Sequence, residues 1–93
     1  MKLPVDYNKI NWIEKRKIRN EYKKLQNNKC YYCWASLVEK PAKNVRDLPI
    51  NKRLFPPSFF NYPVHLHHDH NTGMTIGAVH NYCNAVLWQY EGE

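Results

Sequence analysis

The residues of this chain that can bind a metal or move a proton crowd into one stretch. Val64 to Asn84 holds all five histidines and one of the three cysteines within 21 positions. Imidazole binds transition metals and exchanges a proton near neutral pH, so this density points to metal chemistry rather than to the needs of folding. A second half-site lies upstream at Cys30-Tyr31-Tyr32-Cys33. Cys30-x-x-Cys33 and His80-x-x-Cys83 together offer four sulfur and nitrogen ligands, each pair spaced to reach a single ion, which is the pattern of a closed, tetrahedral structural zinc. Such a site would tie the end of the first helix to the start of the last. The other readings of these cysteines are a redox Cys-x-x-Cys, here without its usual βαβ surroundings, and ordinary buried thiols.

With His80 assigned to zinc, His65, His67, His68 and His70 need another task. Taken singly, His65 and His70 read as satisfied or exposed histidines. The adjacent pair His67-His68 is different, because it precedes a turn and is followed by a helix that begins near Cys83-Asn84. For this pair the reading as satisfied or exposed histidines is much weaker.

The elements that must position these groups follow from pattern. Residues 1–8 read as an irregular leader, with Pro4 opposing an early helix. Asn11 is an N-cap with Glu14 at the third helical position, and no Gly or Pro interrupts the run to Gln26, so a helix is predicted there. Ile18, Tyr22 and Leu25, with Ile13 nearby, form its apolar stripe. Asn27-Asn28 ends it, Cys30 to Cys33 is a knuckle, and a short apolar piece follows over 34–38. Residues 40–63 hold five of the six prolines and no glycine. Their interspersed Leu54, Phe55, Phe59, Phe60 and Tyr62 predict an ordered, irregular excursion packed on the domain. Val64 to His68 and Thr75 to Val79 predict strands around an Asn71-Thr72-Gly73 turn, with Gly77 marking a bulge or close approach. Cys83 to Tyr90 predicts a short helix ended by Gly92. The expected organisation is one domain, 1–93: basic helix 9–29, zinc knuckle 30–39, Pro-rich insertion 40–63, and hairpin with helix 64–91.

A chain of 93 residues builds only a marginal apolar core, and a metal would supply the missing staple. Three cysteines cannot all pair within one chain, and no basic segment followed by an apolar stretch and cleavage site opens the sequence. Reduced cysteines and a soluble, intracellular protein are therefore expected. No apolar run approaches the ~18–20 residues that cross a bilayer, so no membrane partner is expected. The net charge is +6, from 14 Lys and Arg against 8 Asp and Glu. Eight of those cations fall between Lys9 and Lys29, beside only Glu14 and Glu21. This is the footprint of a polyanion partner, with a solvated helix face as the plainer reading. Arg16, Lys17, Arg19, Lys23 and Lys24 are the first candidates for phosphate contacts, which carry little sequence information.

The Cys30-x-x-Cys33 knuckle after a basic helix, His65-Leu66-His67-His68-Asp69-His70, the Thr72-Gly73 turn, Gly77 and the Cys83-Asn84 helix start together resemble an HNH, or ββα-metal, endonuclease. The similarity is greatest to the phage recombination endonuclease VII group. It covers about 70 of the 93 residues, leaving out 40–63. The resemblance implies a small zinc-stabilised α+β domain carrying a ββα-metal hairpin and helix. It implies that His68 is the general base, that His67 and Asn84 hold a catalytic divalent metal, and that His70 assists near the scissile phosphate. Cys30, Cys33, His80 and Cys83 would hold the structural Zn²⁺, with His80 where the family more often has cysteine. His67 stands where the endonuclease VII group usually has aspartate and colicin-type nucleases have histidine. Two neutral ligands extend the preference from Mg²⁺ towards Mn²⁺ or Ni²⁺. The implied activity is metal-dependent hydrolysis of double-stranded or branched DNA by nicking or double-strand cutting, with low sequence specificity and products bearing a 5′ phosphate and a 3′ hydroxyl. The protein would act as a monomer or weak homodimer in the cytoplasm, that of the host if phage-encoded. The alternative is a non-catalytic zinc-containing module that binds nucleic acid.

Overall fold

The Asn11–Glu14 pair starts the first helix of the computed structural model, which describes residues 2–92. Asn11 Oδ1 accepts from the Glu14 backbone N–H at 2.9 Å, and Glu14 Oε1 accepts from Asn11 N–H at 3.3 Å. These reciprocal bonds satisfy two N–H groups that a helix end leaves without partners. The helix, α1, spans Trp12–Leu25, with Glu14 in its first turn and Lys23 and Lys24 in its last, the charge order its dipole favours. It buries Ile18 and Tyr22, whereas Ile13 and Leu25, expected in the same stripe, are exposed. A narrow sheet accounts for this, since it can cover only the middle turns of a helix about 21 Å long. Asn27 and Asn28 take the left-handed conformation, φ 53° and 59°, which Asn tolerates better than most residues. They turn the chain into the knuckle.

The sheet is a two-stranded antiparallel pair, β1 (Val64–His68) and β2 (Thr75–His80). Val64 faces His80 and His67 faces Gly77, after which the register slips so that His68 faces Thr75. The irregularity falls next to Gly77, between the two adjacent histidines. Gly77 itself is required by crowding, because a Cβ there would come within 2.8 Å of Gln26 Oε1 and 3.0 Å of the Tyr31 ring. Gln26 needs that approach: its amide accepts from Ala78 N–H and donates to the Ala78 carbonyl, both at 2.9 Å. The end of α1 is thereby tied to β2. In the turn, Asp69 Oδ1 accepts from the N–H groups of Asn71 and Thr72, and Gly73 supplies the positive φ of 78°.

The leader is more ordered than its composition predicts. Thr75 N–H donates to Val5 O at 2.9 Å, Val5 N–H donates to Thr75 Oγ1 at 3.0 Å, and Tyr7 N–H donates to Gly73 O at 2.8 Å. Leu3, Val5 and Tyr7, at every second position, pack against the core, so the segment behaves as a strap along the start of β2 despite Pro4. A single 3₁₀ turn, Tyr7–Lys9, leads to α1.

The last helix, α3, spans Asn81–Glu91 and buries Cys83, Ala85, Val86 and Leu87. It begins two residues before the expected Cys83, because Asn81 is anchored through Nδ2 to the Tyr62 carbonyl at 2.9 Å. It ends at Gly92 in the left-handed conformation, φ 72°. Within 40–63 a single helical turn, α2 (Lys43–Arg46), and a 3₁₀ turn, Lys52–Leu54, form where an irregular path was expected. Pro41 and Pro49 flank α2 and leave room for one turn. Val45 is buried, and α3 grips the segment: Tyr82 donates to the Leu48 carbonyl, Gln89 Nε2 to Pro49 O and Asn51 N–H to Gln89 Oε1. The core gathers Leu37, Val45, Leu66, Ala78, Val79 and Val86 between the sheet and the helices. Among the described residues no helix is long and apolar enough to cross a membrane.

Candidate functional site

The knuckle and the start of α3 bring Cys30, Cys33, His80 and Cys83 together, with their ligand atoms all within 4.8 Å of one another. His80 Nδ1 lies 3.5 Å from Cys33 Sγ and 3.6 Å from Cys83 Sγ. Zn–S bonds of about 2.3 Å and Zn–N bonds of about 2.0 Å set tetrahedral edges of roughly 3.5–3.8 Å, so the set fits zinc. His80 Nε2 sits 2.8 Å from Ser36 O and 3.0 Å from Glu39 O. Those carbonyls accept its N–H, which leaves Nδ1 as the ligand atom and holds the ring in place. His80 occupies the N-cap of α3 without capping it, since its ring is committed elsewhere. The Cys83 thiol, hydrogen-bonded to Cys30, holds Cys30 well below the ordinary thiol value, and the same contact pushes Cys83 up. A ready thiolate is the form that ligates. Among the described residues this is the one group of three or more Cys, His, Asp or Glu whose ligand atoms converge in this way.

A separate cleft of about 840 Å³ runs along β1, with α1 on one side and α3 on the other. His65, His67, His68 and His70 line it with Asn84. Successive strand residues ordinarily face opposite sides. Here the register slip falls between His67 and His68, with Ile76 of β2 as the extra residue, and such an irregularity bends the strand that carries it and increases the local twist of the pair. Both rings line one cleft, although His67 is buried and His68 only half-buried.

Asn84 approaches His65: its Nδ2 lies 3.1 Å from His65 Nδ1. With the amide as donor, His65 accepts at Nδ1 and is neutral. Burial lowers its pKa in the same sense, while a backbone hydrogen bond with Phe59 works against that shift. The Phe59 ring meets His65 edge-on at 4.7 Å. His65, read from sequence as an unremarkable histidine, is therefore the direct partner of Asn84. No sequence signal marked the pairing, since it joins a strand to a helix across the hairpin.

His68 lies flat against Tyr7, with centroids 3.9 Å apart and planes at 7°. Lys15 Nζ sits 4.0 Å from the Tyr7 ring centre, and the His70 ring is 4.8 Å from His68. Burial lowers the His68 pKa first, followed by the cationic forms of His70 and His67 and by Lys15, with Asp69 opposing. His68 is thus biased towards the neutral ring that can accept a proton. Tyr7 was not singled out from the sequence, because the leader gave no sign of reaching the hairpin; Lys15 was counted only as one of the cations of the basic stretch.

The basic residues divide. Lys15, Arg16 and Arg19 line the cleft, whereas Lys23 and Lys24 border a shallow concavity with Asn20, Asn27 and Asn28 at the far end of α1. Lys17 is exposed and lines neither hollow. Helix geometry explains the split: positions 12, 16, 19 and 23 share a face but Lys23 lies a turn beyond Arg19 and past the cleft, while 17 and 24 turn away from that face. No protein-family model, curated protein or solved structure matches this chain.

Proposed function

We propose that the chain is a metal-dependent endonuclease of the HNH, or ββα-metal, kind that hydrolyses phosphodiester bonds in DNA with little sequence preference. One observation carries the reading: His67, His68 and Asn84 line the same cleft as Lys15, Arg16 and Arg19. Proton-accepting, ligating and phosphate-binding groups then face a common space. The β1–β2–α3 order and the Cys₃His set agree with the resemblance of the sequence to that family.

His68, biased towards its neutral form by burial first, takes the proton from the attacking water. The water oxygen bonds to phosphorus as the bond to the 3′ oxygen breaks, leaving a 5′ phosphate and a 3′ oxygen that takes a proton from solvent to become the hydroxyl. His67 and Asn84 would hold a divalent ion, which supplies charge neutralisation at the phosphate oxygens and the leaving group. Asn84 directs its amide nitrogen to His65, leaving the amide oxygen as the donor for a hard cation. Arg16 and Arg19 bind neighbouring phosphates, and the exposed ring of His70 contacts the scissile one. The Cys₃His zinc, outside the cleft, braces the scaffold.

The test is nicking of supercoiled plasmid by zinc-loaded protein with Mg²⁺ or Mn²⁺ added, beside His68→Ala. The expected loss in that variant is ~10²–10⁴-fold in rate, with zinc content and helicity unchanged. Cutting by His68→Ala at the wild-type rate, or no cutting with either metal, overturns the proposal. The second reading, a non-catalytic zinc module that binds nucleic acid, is favoured by one observation: among the described residues no three cleft histidines converge as the Cys₃His ligands do. Salt-sensitive binding without metal-dependent cleavage would establish it.

A further inference from the structure

We propose that the cleft receives unpaired nucleotides, their bases stacking on the exposed rings of Trp12, Tyr62 and Trp88; this rests on the reading of the cleft as a nucleic-acid site. The three rings come from three separate parts of the chain, α1, the 40–63 insertion and α3, and all line the cleft. They are 71%, 67% and 48% exposed, so core packing does not explain them. Large apolar surface gathered around one hollow marks a binding site, whereas scattered exposure would not.

On α1 the ring and the cations of the cleft share one face. Trp12, Arg16 and Arg19 occupy positions i, i+4 and i+7 of one α1 face, so a ring for a base is followed by two guanidinium groups for phosphates. Across the cleft, Asn84 and Trp88 are likewise one turn apart on α3. The Trp88 ring is backed by Phe55 at 6.3 Å and by His70 at 5.8 Å, both near edge-on, which fixes its plane. In a duplex the base faces are occupied by their stacked neighbours and only the edges can be reached. An unpaired strand offers those faces, and base–aromatic stacking accepts any base. Cations and exposed rings around one cleft therefore select an unpaired strand, such as a flap, a gap or a single-stranded tail.

The experiment uses zinc-loaded full-length His68→Ala protein without added Mg²⁺ or Mn²⁺. A fluorescently labelled mixed-sequence oligodeoxynucleotide is titrated alone and annealed to its complement, read by anisotropy. The single strand is expected to bind at least about tenfold tighter than the duplex. Trp12→Ala and Tyr62→Ala, both at exposed positions and expected to keep the parent circular dichroism spectrum, should each weaken strand binding about tenfold and leave duplex binding unchanged. Arg16→Gln should weaken both. Equal affinity for strand and duplex, or ring variants that bind the strand as well as the parent does, overturns the inference. The two proposals fail separately: absence of cleavage with these binding differences intact removes only the nuclease, and metal-dependent cutting with indifferent ring variants removes only the stacking.

Discussion

The ring of Tyr7 lies parallel to that of His68 at 3.9 Å, so a residue of the N-terminal strap forms one wall for an imidazole of the hairpin. The strap is held there by the Tyr7 N–H to Gly73 O bond and by the Val5–Thr75 pair. A Cβ at residue 73 would come 2.9 Å from Asp6 Oδ1, so Gly73 keeps the strap close. Tyr7→Ala is expected to lower the plasmid-nicking rate by about two- to tenfold, the worth of one aromatic pair at ~0.5–1.5 kcal/mol. Tyr7→Phe keeps the ring and should stay close to wild type. A single-turnover comparison of the two variants checks this, and equal rates would remove Tyr7 from the site's support.

The pH response follows from the direction of the His68 shift. Its pKa lies below the ordinary 6.5, by burial first and by His70 next, so the neutral ring persists on the acid side of that value. The acid limb of the cleavage profile is therefore expected below pH 6.5. His70→Asn removes a cationic neighbour and should raise the His68 pKa, read from its Hε1 resonance in an NMR titration. For stability, the unfolded chain binds more protons than the folded one between the two pKa values, so this group's contribution is full above about pH 6.5 and declines as pH falls towards the folded value. An unchanged His68 titration in the variant would contradict the assigned cause.

Zinc removal should unfold the domain. Its core is small, and the four ligands join α3 to the knuckle that follows α1. Structural zinc contributes apparent free energies of ~10–16 kcal/mol in small zinc modules, comparable to or above the whole stability of a domain. One zinc per chain is expected by elemental analysis, with loss of helical circular dichroism on adding a strong chelator. Cys83→Ser should show the same loss. His80→Cys should retain zinc, because thiolate is an equally suitable ligand. A chelated protein with its native spectrum would exclude the bracing role.

Different features of the structure were legible to different degrees. The α1 start could be read because a capping box needs only Asn11 and Glu14 three residues apart, and the helix forms with both bonds made. The Cys₃His set could be read because Cys30-x-x-Cys33 and His80-x-x-Cys83 each span about one turn. The strap could not, since Pro4 interrupts the short apolar run Leu3–Val5 and its partners lie across the molecule at Gly73 and Thr75. The helical turn Lys43–Arg46 was hidden by the prolines around it. Lys23 and Lys24 looked equivalent to Arg16 and Arg19 by charge; only the seating of α1 on the sheet separates them, Lys23 by its place beyond the cleft along the helix and Lys24 by rotation as well.

Short-range chemistry therefore lay open in the residue order: caps, turns, paired metal ligands and the sign of the charge all act over a few bonds along the chain. Which side chains share a cleft was decided by packing. Asn84 meets His65, Tyr7 covers His68, and Trp12, Tyr62 and Trp88 surround the same hollow, because burial of Leu66, Ala78, Val79 and Val86 sets how the helices seat on the sheet. Apolar burial is non-directional and acts between remote segments, so its outcome has no local signature to read.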